Sequence, residues 1–216
     1  MTFSVEQREK RAVAAAAAQL VAIGATVGLG TGSTVEELLP VLAARRLDIA
    51  CVATSVRTEA LARELGLRIE SLEALGSLDI AIDGADQVAT DGWLVKGGGA
   101  AHTREKIVAA SARRFVVIAS SDKLVDRLRP PIPLELLPFG AGVALEALAP
   151  TELRDVPASP DGNLIADYLG RVGSPAALAR RLSGTPGVVE HGLFAPSLVD
   201  DILVACGAHV TRIRHT

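Results

Sequence analysis

The chain has 216 residues, 49% of them hydrophobic and 22% charged, enough to bury a core in one domain with a smaller companion and too apolar for a disordered chain. A formal charge of −3 supplies no broad positive field for nucleic acid or an anionic membrane, and one Trp, one Tyr and four Phe make no stacking platform for bases. The opening MTFSVEQREKR is polar where a secretory signal needs an apolar core, so the expectation is a cytoplasmic protein with neither nucleic acid nor membrane as a partner.

The run AVAAAAAQLVAIG is too short and too alanine-rich to span a bilayer, and it predicts a first helix over about 5–22. A buried strand TVGL follows at 26–29, then the turn GTGST and a helix over 35–45. The strand DIACVA, the helix TEALARELG and the strand LDIAID come next, then a helix over 103–113 and the strand RFVVIA. Short apolar strands without in/out alternation, separated by helices, imply an α/β fold: a Rossmann-like parallel sheet with helices on both faces. Cys51 and Cys206 sit in apolar runs as small hydrophobes, and there is no disulfide framework or CxxC pattern.

At Pro130 the character changes. RPPIPLELLP carries four prolines, which suits a linker or an edge strand rather than a central one. A helix near 142–148, a strand near 152–154, a turn at SPDGN, the strand LIADYL, the helix PAALARRL and the strand GVVEHGLF then follow. Their β-α-β-β-α-β order implies a smaller inserted α+β (ferredoxin-like) domain. ILVACG returns to the first sheet, so the expected division is 1–129 with 203–216 for the catalytic α/β domain and 130–202 for the smaller one.

GLGTGST follows a strand and opens a helix, where an open α/β sheet presents ligands. The dinucleotide fingerprint fails at Ser33, no acidic residue closes the second strand, and no Walker A lysine is present. What remains is a turn with the hydroxyls of Thr31, Ser33 and Thr34 around Gly32, suited to a terminal phosphate on a small molecule or to a plain helix cap. TSVRTE repeats the hydroxyl-rich helix start, and Lys10 and Lys123 could complete a phosphate clamp or sit on the solvated surface.

The richest stretch is DGAD followed by LVKGGGAAHTREK. Asp83 ends a predicted strand, with Asp86 just beyond; both could simply cap a turn. Lys96 and the bare backbone of Gly97, Gly98 and Gly99 argue for a ligand lying against the chain. Glu105 falls in the first turns of the next helix, where a carboxylate also suits the helix dipole. Together the set supplies a base, proton carriers and a cation, which fits proton abstraction beside a carbonyl. His102, His191, His209 and His215 form no metal-binding pair, so no metal is expected, and no nucleophile elbow is present.

These residues carry a resemblance. VGLGTGST, TSVRTEALARELG, DIAIDGAD, LVKGGGAAHTREKIVA, SDK, PLELLPF, DGNLIAD and GVVEHGLF, in that order, resemble the type A ribose-5-phosphate isomerases over nearly the whole chain. The resemblance implies interconversion of ribose 5-phosphate and ribulose 5-phosphate through an enediol or enediolate, in the non-oxidative pentose phosphate branch, with no cofactor. It implies that Glu105 moves the proton between carbons 1 and 2. Asp83 and Asp86 would serve sugar hydroxyls and ring opening, and Lys96 would stabilise the charged oxygen. Lys10, Thr31, Gly32, Ser33, Thr34, Gly97, Gly98 and Lys123 would hold substrate and phosphate. It also implies a homodimer or homotetramer, with the smaller domain in subunit contacts. A sugar-phosphate sensor, or a related phosphosugar enzyme on the same fold, is the alternative. Gln87 departs from the family's usual Glu, while TELRDVPAS and ACGAHV match poorly and are expected to lie away from the catalytic set.

Overall fold

The computed structural model describes residues 3–214, which form two compact units. The elements in chain order are α1 (Val5–Ala18), β1 (Thr26–Leu29), α2 (Ser33–Arg45), β2 (Ala50–Ala53), α3 (Val56–Glu64), β3 (Arg68–Ile69), α4 (Leu72–Leu75), β4 (Ile80–Gly84), β5 (Gln87–Ala89), β6 (Leu94–Val95) and α5 (His102–Ser111). They continue with β7 (Phe115–Ser120), β8 (Leu124–Val125), β9 (Ile132–Leu136), α6 (Ala141–Ala147), β10 (Thr151–Leu153), β11 (Leu164–Tyr168), α7 (Pro175–Ser183), β12 (Val188–His191), β13 (Leu193–Phe194), β14 (Asp201–Cys206) and β15 (His209–Arg214).

The first unit takes residues up to 85 with 104–124 and those from 197. Its sheet has the order β15-β14-β7-β4-β1-β2-β3, parallel except for the edge hairpin β14-β15. Alternation along β1 shows why helices cover both faces. Val27 and Leu29 enter a core with Val13, Ala14 and Ala17 of α1 and Leu38, Leu39 and Leu42 of α2. Gly28 points the other way, where an added Cβ would stand 2.4 Å from Val108 Cγ1 of α5. The missing side chain therefore lets α5 lie close on the sheet. The alanines of α1 do the same on the opposite face.

Helix α1 ends at Ala18, short of the expected Ala22. The next backbone bonds run from Leu20 N to Ala17 O and from Val21 N to Ala18 O, a tighter turn, and Arg45 of α2 donates to the carbonyls of Ala18 and Val21. Glu9 of α1 is buried and accepts from Gly207 N at 2.8 Å and Ser121 N at 2.9 Å, fastening the helix to two turns of the sheet.

The second unit comprises 86–103 and 125–196. Within it β9-α6-β10-β11-α7-β12 build an antiparallel sheet of order β10-β11-β9-β12, the ferredoxin-like arrangement. The proline-rich segment is neither linker nor edge: β9 is an inner strand, buried at every position. Pairing with β12 stops at Leu134, and the Pro133 carbonyl accepts from Gly192 N at 2.7 Å. N and C=O of one strand residue point the same way, so the missing N–H faces this irregular side and breaks no bond of the β9-β11 ladder.

Expected as one strand, GVVEHGLF is two, interrupted at Gly192. Its second half, β13, enters a small sheet of order β13-β6-β5-β8. That sheet also corrects the division of the chain. Residues 86–103 and 125–129, expected in the first domain, group with the second through β5 and β6, and 197–202 group with the first.

Candidate active site

In the first unit the carboxyl ends of β1, β2 and β4 are sewn together by polar contacts. Gly30 N donates to Ile82 O and Thr54 N to Leu29 O, both at 3.0 Å. The Thr58 hydroxyl donates to Gly30 O at 2.9 Å, and the hydroxyls of Thr31 and Thr54 lie 2.8 Å apart. Asp83, only 3% exposed, accepts at Oδ1 from Thr31 N at 3.1 Å and from Gly84 N at 2.7 Å. A Cβ on Gly30 would fall 1.9 Å from Asp83 Cγ. Gly30, Thr54 and Thr58 escaped the sequence reading as site residues; their signal lay in the small-residue turn GLGTG and the hydroxyls of TSVRT.

Gly32, at φ 117°, precedes α2 and gives it no side-chain cap, so the first-turn N–H groups of a 13-residue helix are open to an anion. A cavity of about 380 Å³ beside it is lined by Lys10 and Ser33 together with Ser4, Gln7 and three glutamates. Each glutamate already has a cation: Glu6 pairs with Lys10, Glu36 with Arg57 and Glu37 with Arg11. Thr34 lies in the first turn of α2. Lys123 follows β7, pairs with Asp122 at 3.0 Å and does not line this cavity. Of the two lysines, the structure brings Lys10 alone to the lining of that cavity.

Glu105 stands in the first turn of α5 and is 3% exposed. The other end of α5 sits at the amino end of β4, where Leu78 N donates to Ser111 O at 3.0 Å. Val108 then lies over Gly28 and Ala81. One turn further on the same helix face is Glu105, and two residues further on the same strand face is Asp83. Both buried carboxylates therefore occupy the α5 side of the sheet toward its carboxyl end.

In the second unit, residues 96–98 form a fixed loop. Lys96, 3% exposed, donates its N–H to Gly192 O at 2.8 Å, and its Nζ lies 5.5 Å from the Phe194 ring centre. Gly97 has φ 105°, and a Cβ there would meet His102 Nδ1 at 2.7 Å and Pro133 Cβ at 2.9 Å. Gly98 N donates to Asp86 Oδ2 at 2.8 Å, holding an otherwise exposed carboxylate. Asp86 is thus tied to the turn that carries Lys96, Gly97 and Gly98. Thr103, at the start of α5, donates at 2.5 Å to buried Glu135, which also accepts from Ser159 at 2.6 Å and Asn163 at 2.8 Å. Gln87 bonds the Arg129 peptide through both ends of its amide, at 2.8 and 3.0 Å, and a carboxylate could not donate the first of these bonds.

His102 is fully buried in packing, and His191 contacts Ser183 Oγ at 3.1 Å and accepts from Leu193 N at 3.2 Å. His215 lies outside the described residues. Among the described residues no group of three or more His, Cys, Asp or Glu is placed to hold a metal, and no helix is long and apolar enough to cross a membrane.

The family model of ribose 5-phosphate isomerase A (phosphoriboisomerase A) matches residues 50–208. The chain belongs to the ribose-5-phosphate isomerase A family. It is 50% identical to the family member of Halobacterium salinarum over 202 residues, 88% of each chain. The solved isomerase A of Methanocaldococcus jannaschii superposes with a TM-score of 0.90 at 34% identity, covering 95% of this chain and 98% of that one. A D-ribose-5-phosphate isomerase in complex with phospho-erythronic acid superposes at 0.91 with 33% identity, covering 99% and 100%. Because a Cβ on Gly30 would collide with the Asp83 carboxyl, Gly30→Ala should displace that carboxylate, and the expected outcome is turnover lowered by ~10–100-fold, the scale of an ångström-sized misplacement. A steady-state assay on folded variant checks this; unchanged kcat would show that the close approach of Gly30 and Asp83 has no catalytic consequence.

Proposed function

We propose that this isomerase interconverts ribose 5-phosphate and ribulose 5-phosphate, with Glu105 carrying the proton between carbons 1 and 2. The carboxylate removes the carbon-bound proton next to the carbonyl, an enediolate forms, and the same group returns the proton to the neighbouring carbon. Lys96 stabilises the negative oxygen, whose charge exists only along the reaction path, so its contribution falls on kcat. Asp83, held by two backbone N–H groups, and Asp86 together serve the sugar hydroxyls, proton transfer on oxygen and ring opening. The phosphate rests at the start of α2 on Thr31, Gly32, Ser33 and Thr34 with Lys10 and Lys123, and Gly97 and Gly98 admit the sugar against bare backbone.

The observation that carries this reading is the pair of buried carboxylates, Asp83 and Glu105, on one side of the sheet toward the end where the uncapped helix begins. Purified protein in the presence of a chelator should convert ribose 5-phosphate to ribulose 5-phosphate, followed by the absorbance of the ketose; absence of conversion would remove the proposal. Replacing Ser33 and Thr34 together by Ala should raise KM ~10-fold or more with a smaller change in kcat, because a phosphate anchor acts alike in ground and transition states. A loss confined to kcat would move the phosphate elsewhere. We further assign the chain to the cytoplasm as a homodimer or homotetramer with the second unit in subunit contacts, which light scattering of the purified protein tests.

A further inference from the structure

The segment that follows β10 places a guanidinium on the triple-glycine loop. Arg154 donates through Nη1 to Gly97 O at 3.0 Å and to Gly98 O at 3.4 Å. Its other nitrogens form a two-pronged pair with Asp167 of β11, Nε to Oδ2 at 2.8 Å and Nη2 to Oδ1 at 2.7 Å. Both side chains are largely shielded, at 18% and 17% exposure. Asp167 sits opposite Pro133 in the sheet register, so the anchor is a strand and not a mobile loop.

Gly97 and Gly98 have no side chains, so those two residues can be fixed only through their backbone. The loop is held from three directions: Lys96 N on Gly192 O, Gly98 N on Asp86 Oδ2, and the two carbonyls on Arg154. The first two holds join neighbouring turns. The third ties the loop to β11 of the antiparallel sheet through Asp167. We infer that Arg154, braced by Asp167, is a positioning residue that fixes the Lys96–Gly98 loop for the isomerisation. A guanidinium suits the task because one planar fork can pair with a carboxylate while a remaining N–H points at a carbonyl; an ammonium keeps the charge and loses that fixed geometry. The effect acts through Lys96, whose ammonium stabilises charge that develops during the reaction, so loosening the loop should act on turnover more than on substrate capture.

This rests on the assignment of Lys96 to the charged oxygen, so Lys96→Ala is measured beside the Arg154 variants. Arg154→Ala and Arg154→Lys are purified, their unfolding midpoints recorded, and kcat and KM determined with ribose 5-phosphate. The expected result is kcat lowered ~10-fold or more in both with KM within ~3-fold, the Lys variant keeping a near-native midpoint because its ion pair to Asp167 survives. If Arg154→Ala does not fold, Arg154→Lys decides alone. Wild-type kcat in a folded Arg154→Ala, or full recovery of kcat in Arg154→Lys, overturns the inference and leaves an ordinary ion pair. Retained turnover in Lys96→Ala overturns instead the assignment on which it stands.

Discussion

Replacing Glu105 with glutamine is expected to lower kcat by ~100-fold or more while KM stays within a few-fold of wild type, the usual scale for loss of a positioned base. The amide keeps the shape of the side chain but cannot take a proton, and a residue that acts only on the carbon-bound proton contributes little to ground-state binding. Glu105 is nearly solvent-free at 3% exposure, on the same side of the sheet as Asp83, where water cannot readily replace it as base. Steady-state kinetics on the variant, with an unfolding midpoint to confirm the fold, check the result. Near-normal turnover would mean that another group moves the proton.

Replacing Asp201 with alanine is expected to cost about 3 kcal/mol of folding stability, read from denaturant unfolding, without a comparable loss of kcat in the folded fraction. Asp201 is 2% exposed on β14 and receives Arg114 Nε at 2.7 Å and Arg212 Nε at 2.5 Å, with Arg214 at 3.8 Å. Its loss leaves guanidinium groups facing one another, but these reach solvent and can rehydrate, so the cost falls at the low end for breaking a buried pair. Even so, ~3 kcal/mol is a large share of a typical domain's stability. A change below ~0.5 kcal/mol would show that the arginines lose nothing by release from Asp201.

The same carboxylate gives a pH dependence. Burial pushes the Asp201 pKa up, and the hydrogen bonds and charges of Arg212 and Arg114 outweigh it, holding the group below the ordinary carboxylate range. Glu9 is lowered too, chiefly by the Gly207 N–H, against burial. A carboxyl whose folded pKa lies below its unfolded one stabilises the fold fully above the unfolded value, near pH 4, and loses that contribution as pH falls through the folded value. Stability should therefore decline from about pH 5 downward, and Asp201→Ala should flatten that decline. An equally steep acid limb in the variant would place the linkage in other groups.

How much of this was legible in the sequence depended on what each residue does locally. β1, β2, β4 and β7 could be read because parallel strands covered on both faces become short apolar runs. β15 could not, since HVTRIR is an exposed edge strand whose polar residues carry no such signal. β5, β6 and β13 are two or three residues long and exist because they pair with one another, a tertiary fact. β9 was obscured by prolines whose cost depends on which side of the strand has partners. Asp83 was visible because it ends an apolar run before Gly84 and Ala85, and Glu105 because it opens the helix that follows the triple glycine. Arg154 was not, because its target is a backbone carbonyl more than fifty residues away, and no spacing rule encodes that contact.

A crystal structure of this chain with phospho-erythronic acid bound would bear most directly on how the reaction is carried out. The acid group of that ligand imitates the planar, charged enediolate. The proposed roles require the Glu105 carboxylate against the acid group itself, whose carbon and one oxygen take the places of the two reacting carbons, the Lys96 ammonium within hydrogen-bond reach of an acid oxygen, and the phosphate at the start of α2. A phosphate seated away from Ser33 and Thr34, or a Glu105 turned from the reacting carbons with another base in its place, would contradict it.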